Sequence, residues 1–116
     1  MIESTVERRL VTNFKKAGIE LLKFKTPSRR DVPDRICFLD DAVTVLIEVK
    51  KPGETLRKKQ LLYCKGLVAK GHFVFVIDNT GMVNGLITEV LRLSEKSYRL
   101  RLKKTIHWFI YRDGVR

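Results

Sequence analysis

Apolar positions mark out the elements of this chain before any single residue is considered. Val6, Leu10, Phe14 and Ala17 recur at helical spacing, so residues 3–17 read as a helix that Gly18 ends. Ile19 to Phe24 is a short apolar run, read as a strand. Thr26 to Val32 holds Pro27, Ser28 and Asp31 and reads as a loop. Arg35–Leu39 and Val43–Lys50 are strands joined at Asp40-Asp41, the second rich in β-branched residues. Lys51-Pro52-Gly53 breaks the pattern. Leu56, Gln60, Tyr63 and Leu67 then fall on one stripe of a helix over 55–70, which Gly71 closes. His72–Ile77 is almost continuously apolar, as expected of a strand covered on both faces. After a turn at 78–81, Met82–Leu93 reads as a helix. From Ser97 the pattern alternates, Tyr98, Leu100 and Leu102 against Arg99, Arg101 and Lys103, which predicts a half-exposed strand. Ile106–Tyr111 is its candidate hairpin partner. The order predicts an α/β fold: a mixed sheet flanked by helices, with the segment 43–77 as a parallel crossover.

Two strands carry charge where an apolar run ends: VPDRICFL (32–39) and IEVKKPG (47–53). Residues two apart in a strand share a face, so Glu48 and Lys50 project to one side with Leu46 behind them. A hairpin closed at Asp40-Asp41 brings Asp34 opposite that end. Asp34, Glu48 and Lys50 therefore converge. Two neighbouring carboxylates repel unless a cation sits between them, and hard oxygen ligands suit Mg²⁺, with Mn²⁺ in its place. A lysine beside such an ion stabilises charge on a phosphate or orients an attacking water. The same spacing also fits an Asp at a turn and a Glu–Lys pair on a solvated face.

Composition narrows the partner. The 116 residues suffice for one domain, and 44 % hydrophobic content supports a core. Lys and Arg number 24 against 13 Asp and Glu, a net charge of +11 spread over three clusters, as on a folded basic surface that meets a polyanion. No apolar run approaches the roughly 20 residues of a membrane helix. The polar start gives no sign of a signal peptide, and two cysteines without a CxxC pair suit a reduced, cytoplasmic setting, for a DNA-bound protein the nucleoid. Cys37 and Cys64 fall in apolar segments and read as core. His72 and His107 lack partners at ligand spacing. Trp108, Phe109 and Tyr111 fit a core or an interface better than base stacking.

The motif and its surroundings resemble a known family. Pro33-Asp34 followed by Glu48-Val49-Lys50 is similar to the PD-(D/E)xK nuclease signature. VPDR, IEVKKPGETL, Gln60 on the next helix and HFVFVI together resemble the VRR-NUC (virus-type replication-repair nuclease) domain over about residues 3–83. The resemblance implies a restriction-endonuclease-like core of αβββαβ order over residues 1–94, with 95–116 as a basic, aromatic extension. It implies Asp34, Glu48 and the Val49 carbonyl as metal ligands and Lys50 as the catalytic lysine. Glu7 would approach the metal from the first helix, and Gln60 would hold the lysine or a phosphate. It further implies a Mg²⁺-dependent endonuclease acting as a homodimer on branched DNA such as Holliday junctions. Arg29, Arg30, Arg35, Lys51, Lys58 and Lys59 are the basic residues placed to meet its phosphates. The family often has glycine where Asp31 stands, and Asp31 reads as a turn former. The rival readings are a non-catalytic nucleic-acid-binding module and a nuclease subunit that needs a partner.

Overall fold

The computed structural model describes residues 5–93 and 95–102. The apolar stripe of the first segment forms α1 (Thr5–Lys16), with Val6, Leu10 and Phe14 buried. Four strands follow the alternating and continuous apolar runs: β1 (Leu22–Lys23), β2 (Arg35–Leu39), β3 (Val43–Val49) and β4 (Phe73–Ile77). They lie in the order β1-β2-β3-β4. β1–β2 and β2–β3 pair antiparallel, and β3–β4 pair parallel. The helix α2 (Lys58–Ala69) makes the crossover between the parallel strands, and α3 (Gly81–Arg92) follows β4.

The sheet separates two apolar layers. On one face Val45 and Ile47 of β3 and Phe73, Phe75 and Ile77 of β4 pack with Phe14 of α1 and Leu86 of α3. On the other face Leu46, Val74 and Val76 pack with Cys64 of α2 and with Leu56 just before it. β4 is buried at every position, which accounts for its unbroken apolar run. Cys37 lies in the first layer, fully buried, and burial together with nearby Glu20 pushes its thiol up to about 12. That removes it from thiolate chemistry at neutral pH.

Two expectations are corrected. The strand predicted over 19–24 shrinks to Leu22–Lys23, because only those two residues pair with β2. The predicted strand from Ser97 is instead the helix α4 (Lys96–Leu102). Its alternation does not divide two faces: Tyr98 is buried in the first layer, while Leu100 is 57 % exposed. Tyr98 donates to a Glu89 carboxylate oxygen, and Arg99 donates to the Leu93 carbonyl at 2.8 Å. These contacts anchor one turn of helix against α3. The expected hairpin partner at 106–111, with His107, Trp108, Phe109 and Tyr111, lies outside the described residues.

Turn chemistry sets the strand ends. Lys51–Glu54 is closed by Glu54 N–H donating to the Lys51 carbonyl at 2.9 Å, with Gly53 at φ 86 after Pro52. That conformation suits glycine at the third position of a turn. The β2–β3 turn is less relaxed, because Asp41 and Ala42 stand at φ 60 and 59. Asp tolerates the left-handed region through its short polar side chain, whereas alanine does not. Ala42→Gly is therefore expected to stabilise the fold by about 1 kcal/mol, raising the melting temperature by a few degrees. A thermal melt that moves down would refute strain at this turn.

Candidate functional site

The register of β2 against β3 builds the site. Arg35 pairs with Ile47, so one step further Asp34 stands opposite Glu48, on the same face. The buried Val32 and Pro33 seat the entry to β2. The Val49 N–H donates to Asp34 Oδ2 at 3.0 Å, tying that carboxylate to the end of β3. Lys50 continues the parallel ladder through its N–H to the Ile77 carbonyl at 2.8 Å, and its side chain falls on the same face as Glu48.

α2 supplies the other half. Gln60 is 6 % exposed on the side of α2 facing the sheet. Its Nε2 donates to Glu48 Oε2 at 3.1 Å. Its Oε1 accepts from Lys50 Nζ at 2.8 Å and from the Arg57 N–H at 3.0 Å. The Lys50 ammonium lies 3.6 Å from Glu48 Oε2. One amide therefore fixes the lysine and the carboxylate together and also ties the first turn of α2 to them. The polar interruption of an apolar stripe has its partners here.

Glu48 is the most perturbed member. It is 4 % exposed, and its carboxyl is pushed up to about 8. Burial is the main cause, followed by the negative charge of Asp34; Lys50 and the Asp34 backbone N–H pull in the opposite direction. A buried carboxyl beside a second carboxylate keeps its proton until something positive replaces it. Two carboxylates facing one another in this state fit a divalent cation that keeps most of its water. Among the described residues no three His, Cys, Asp or Glu side chains gather as a metal-holding group, so the acidic donor set is this pair.

Arg35 takes another position than expected. Strand alternation sends it to the α1 face, where it is 5 % exposed and its Nε lies 3.6 Å from Glu7 Oε2 on α1. Arg35 is not an exposed phosphate contact, since its place in the strand buries it. Arg29, Arg30, Lys51, Lys58 and Lys59 are exposed, as expected of residues that meet phosphates. Asp31 pairs with Arg57 at 3.6 Å, linking the loop to the start of α2, a role beyond turn formation. Asp78 went unnoticed in the sequence. It is 4 % exposed directly after β4 and accepts from Asn79 Nδ2 at 3.0 Å. The signal was available: a charge following an apolar run that the neighbouring strand buries.

No family model matches the chain. Over 77 residues it is 39 % identical to "Putative nuclease p44" of Acyrthosiphon pisum secondary endosymbiont phage 1, covering 66 % of this chain and 83 % of that relative. A solved structure described as a VRR_NUC domain superposes with a TM-score of 0.63 at 27 % identity, covering 72 % of this chain and 90 % of that one. The chain belongs to the VRR-NUC family. The mixed four-stranded sheet with flanking helices is the restriction-endonuclease-like arrangement that membership requires. None of the described helices of this VRR-NUC domain is long and apolar enough to cross a membrane.

The raised Glu48 carboxyl gives a signed pH effect. In the folded state it holds its proton to about 8, against an ordinary value of 4.5. Between those values the folded chain binds more protons than the unfolded chain, so stability falls as pH rises. In EDTA, the melting temperature of the VRR-NUC domain is expected to drop by several degrees from pH 5 to pH 8.5, and the drop should vanish in Glu48→Gln. Equal slopes in the two proteins would show that Glu48 is not the group responsible.

Proposed function

We propose that this chain is a metal-dependent endonuclease that hydrolyses phosphodiester bonds in DNA. The observation that carries the reading is the cluster of Glu48 and Lys50, joined through the buried Gln60 amide, with Asp34 beside them on the Val49 N–H. Asp34 and Glu48 would hold the ion, Mg²⁺ or Mn²⁺, with the Val49 carbonyl as a third ligand. When bound, the ion supplies Lewis acidity toward a phosphate oxygen and a water of lowered pKa. Lys50, held at 2.8 Å by Gln60, meets the negative charge that builds on the phosphate or orients the attacking water. Gln60 keeps both in register. Glu7 would approach the ion from α1, directly or through water.

Exposed Arg29, Arg30, Lys51, Lys58 and Lys59 flank this site and gather the DNA backbone. A net charge of +11 favours a polyanionic substrate. Likeness to a phage protein named as a nuclease supports cleavage of nucleic acid; we take branched DNA, such as a four-way junction, as the preferred form, cut in the cytoplasm or at the nucleoid. We place two copies on such a substrate, because a symmetric dimer presents two sites to two strands. Phe38, 66 % exposed on the part of β2 that β1 leaves uncovered, favours contact between copies.

The test compares labelled four-way junction, flap, duplex and single-stranded DNA in Mg²⁺, Mn²⁺ or EDTA. Cutting is expected with either metal, best on the junction, and none in EDTA. Lys50→Ala should lower the rate by at least about 100-fold while leaving junction binding within a few-fold of wild type. Tight binding without cutting under every metal would replace the nuclease reading with that of a binding module. Sedimentation that returns a monomer on a junction cut in paired strands would remove the dimer.

A further inference from the structure

The loop before Asp34 and the outward side of α2 enclose a groove of about 380 Å³ that the metal and lysine site does not use. Arg29 and Asp31 line it from the loop, Lys59, Tyr63 and Gly66 from α2, and Lys70 from the cap at its C-terminal end. Its volume falls in the lower range of sites that take small organic groups, enough for a nucleobase.

Three features define its chemistry. First, the Arg29 guanidinium lies over the Tyr63 ring, 4.5 Å from the centroid. A guanidinium held over a ring offers its other face as a stacking surface for a base. Second, the charge is positive. Arg29, Lys59 and Lys70 face Asp31, whose carboxylate is already paired with Arg57 at 3.6 Å. Lys59 and Lys70 stand eleven positions apart on one helix, about 16 Å at the α-helical rise, so they span a stretch of strand rather than one phosphate. Third, Gly66 stands between them inside a helix, where glycine is less favourable than alanine. A Cβ built there meets no heavy atom within 4 Å. The position is open, and a larger side chain would occupy the groove instead of colliding with the fold.

We propose that this groove seats an unpaired nucleotide of the bound DNA. Its base stacks on the Arg29–Tyr63 pair, and phosphates further along the strand in each direction meet Lys59 and Lys70. The proposal rests on the nuclease reading only for the nature of the polymer, and it deepens that reading. Lys59 adjoins Gln60, and the Asp31–Arg57 pair stands between loop and helix at the same end. A strand leaving the carboxylate pair along α2 enters the groove. Substrates with a splayed or single-stranded segment beside the cut are therefore favoured over continuous duplex.

Binding in EDTA tests this apart from catalysis. Fluorescent tetrathymidylate is titrated beside a tetramer of the same phosphates without bases, and beside blunt duplex. Wild type should bind tetrathymidylate roughly 10-fold more tightly than the abasic tetramer, the size expected for one stacked base. Gly66→Leu and Tyr63→Ala should each lose that preference. Gly66→Leu should melt no lower than wild type and keep its affinity for duplex. Equal binding of the two tetramers by wild type would overturn the groove as a base site. So would a folded Gly66→Leu that binds tetrathymidylate as wild type does. A chain that shows the base preference yet cuts no DNA in any metal would sink the nuclease reading and leave the groove standing.

Discussion

A carboxyl group that is 4 % exposed on a central strand is costly to hold as an ion, and Glu48 occupies such a place. Much of the nearby structure answers to it. Gln60 reaches down from α2 to donate to it, Lys50 lies 3.6 Å away, and Asp34 faces it from the next strand. Each partner needs its element in register: a one-residue slip of β2 against β3 would send Asp34 to the α1 face. The β2–β3 turn and the parallel crossover through α2 therefore serve one point. That point is poised rather than satisfied, since two carboxylates share it and a cation of higher charge than lysine relieves both.

Much of this was legible in the chain. The apolar patterns located α1, β2, β3, β4 and α3 closely, because each buries a stripe or face, while α2, which buries only Gln60 and Cys64, begins three residues after the predicted start. Asp34, Glu48 and Lys50 could be brought together from spacing alone, since antiparallel register and strand alternation leave little freedom. Gln60 stood out as a polar break in an apolar stripe. What was not legible depended on contacts distant in sequence. Arg35 looks like any basic residue after Pro-Asp until alternation buries it against Glu7. The Arg57–Asp31 link joins a loop to a helix that no local pattern connects. Over 97–103 a short alternation resembles a strand, but Lys96–Leu102 is a helix, tied by Tyr98 to Glu89 and by Arg99 to Leu93, and seven residues are too few for periodicity to decide.

The two faces of the sheet are covered unequally. α1 and α3, with Tyr98 of α4, close over a large layer that includes Phe14, Phe75, Ile77 and Leu86. α2 closes over a smaller one, built on Leu46, Leu56, Cys64, Val74 and Val76. Burial sets how much free energy an element needs to open on its own, and less apolar area means easier opening. Of the two coverings of the sheet, α2 is thus the one that opens more easily. When it lifts, Gln60 leaves Glu48 and Lys50 together, while the strands beneath stay paired. The domain can therefore lose its lysine clamp and the groove beside Tyr63 in one local fluctuation, as a lid on a persistent floor, without passing through global unfolding.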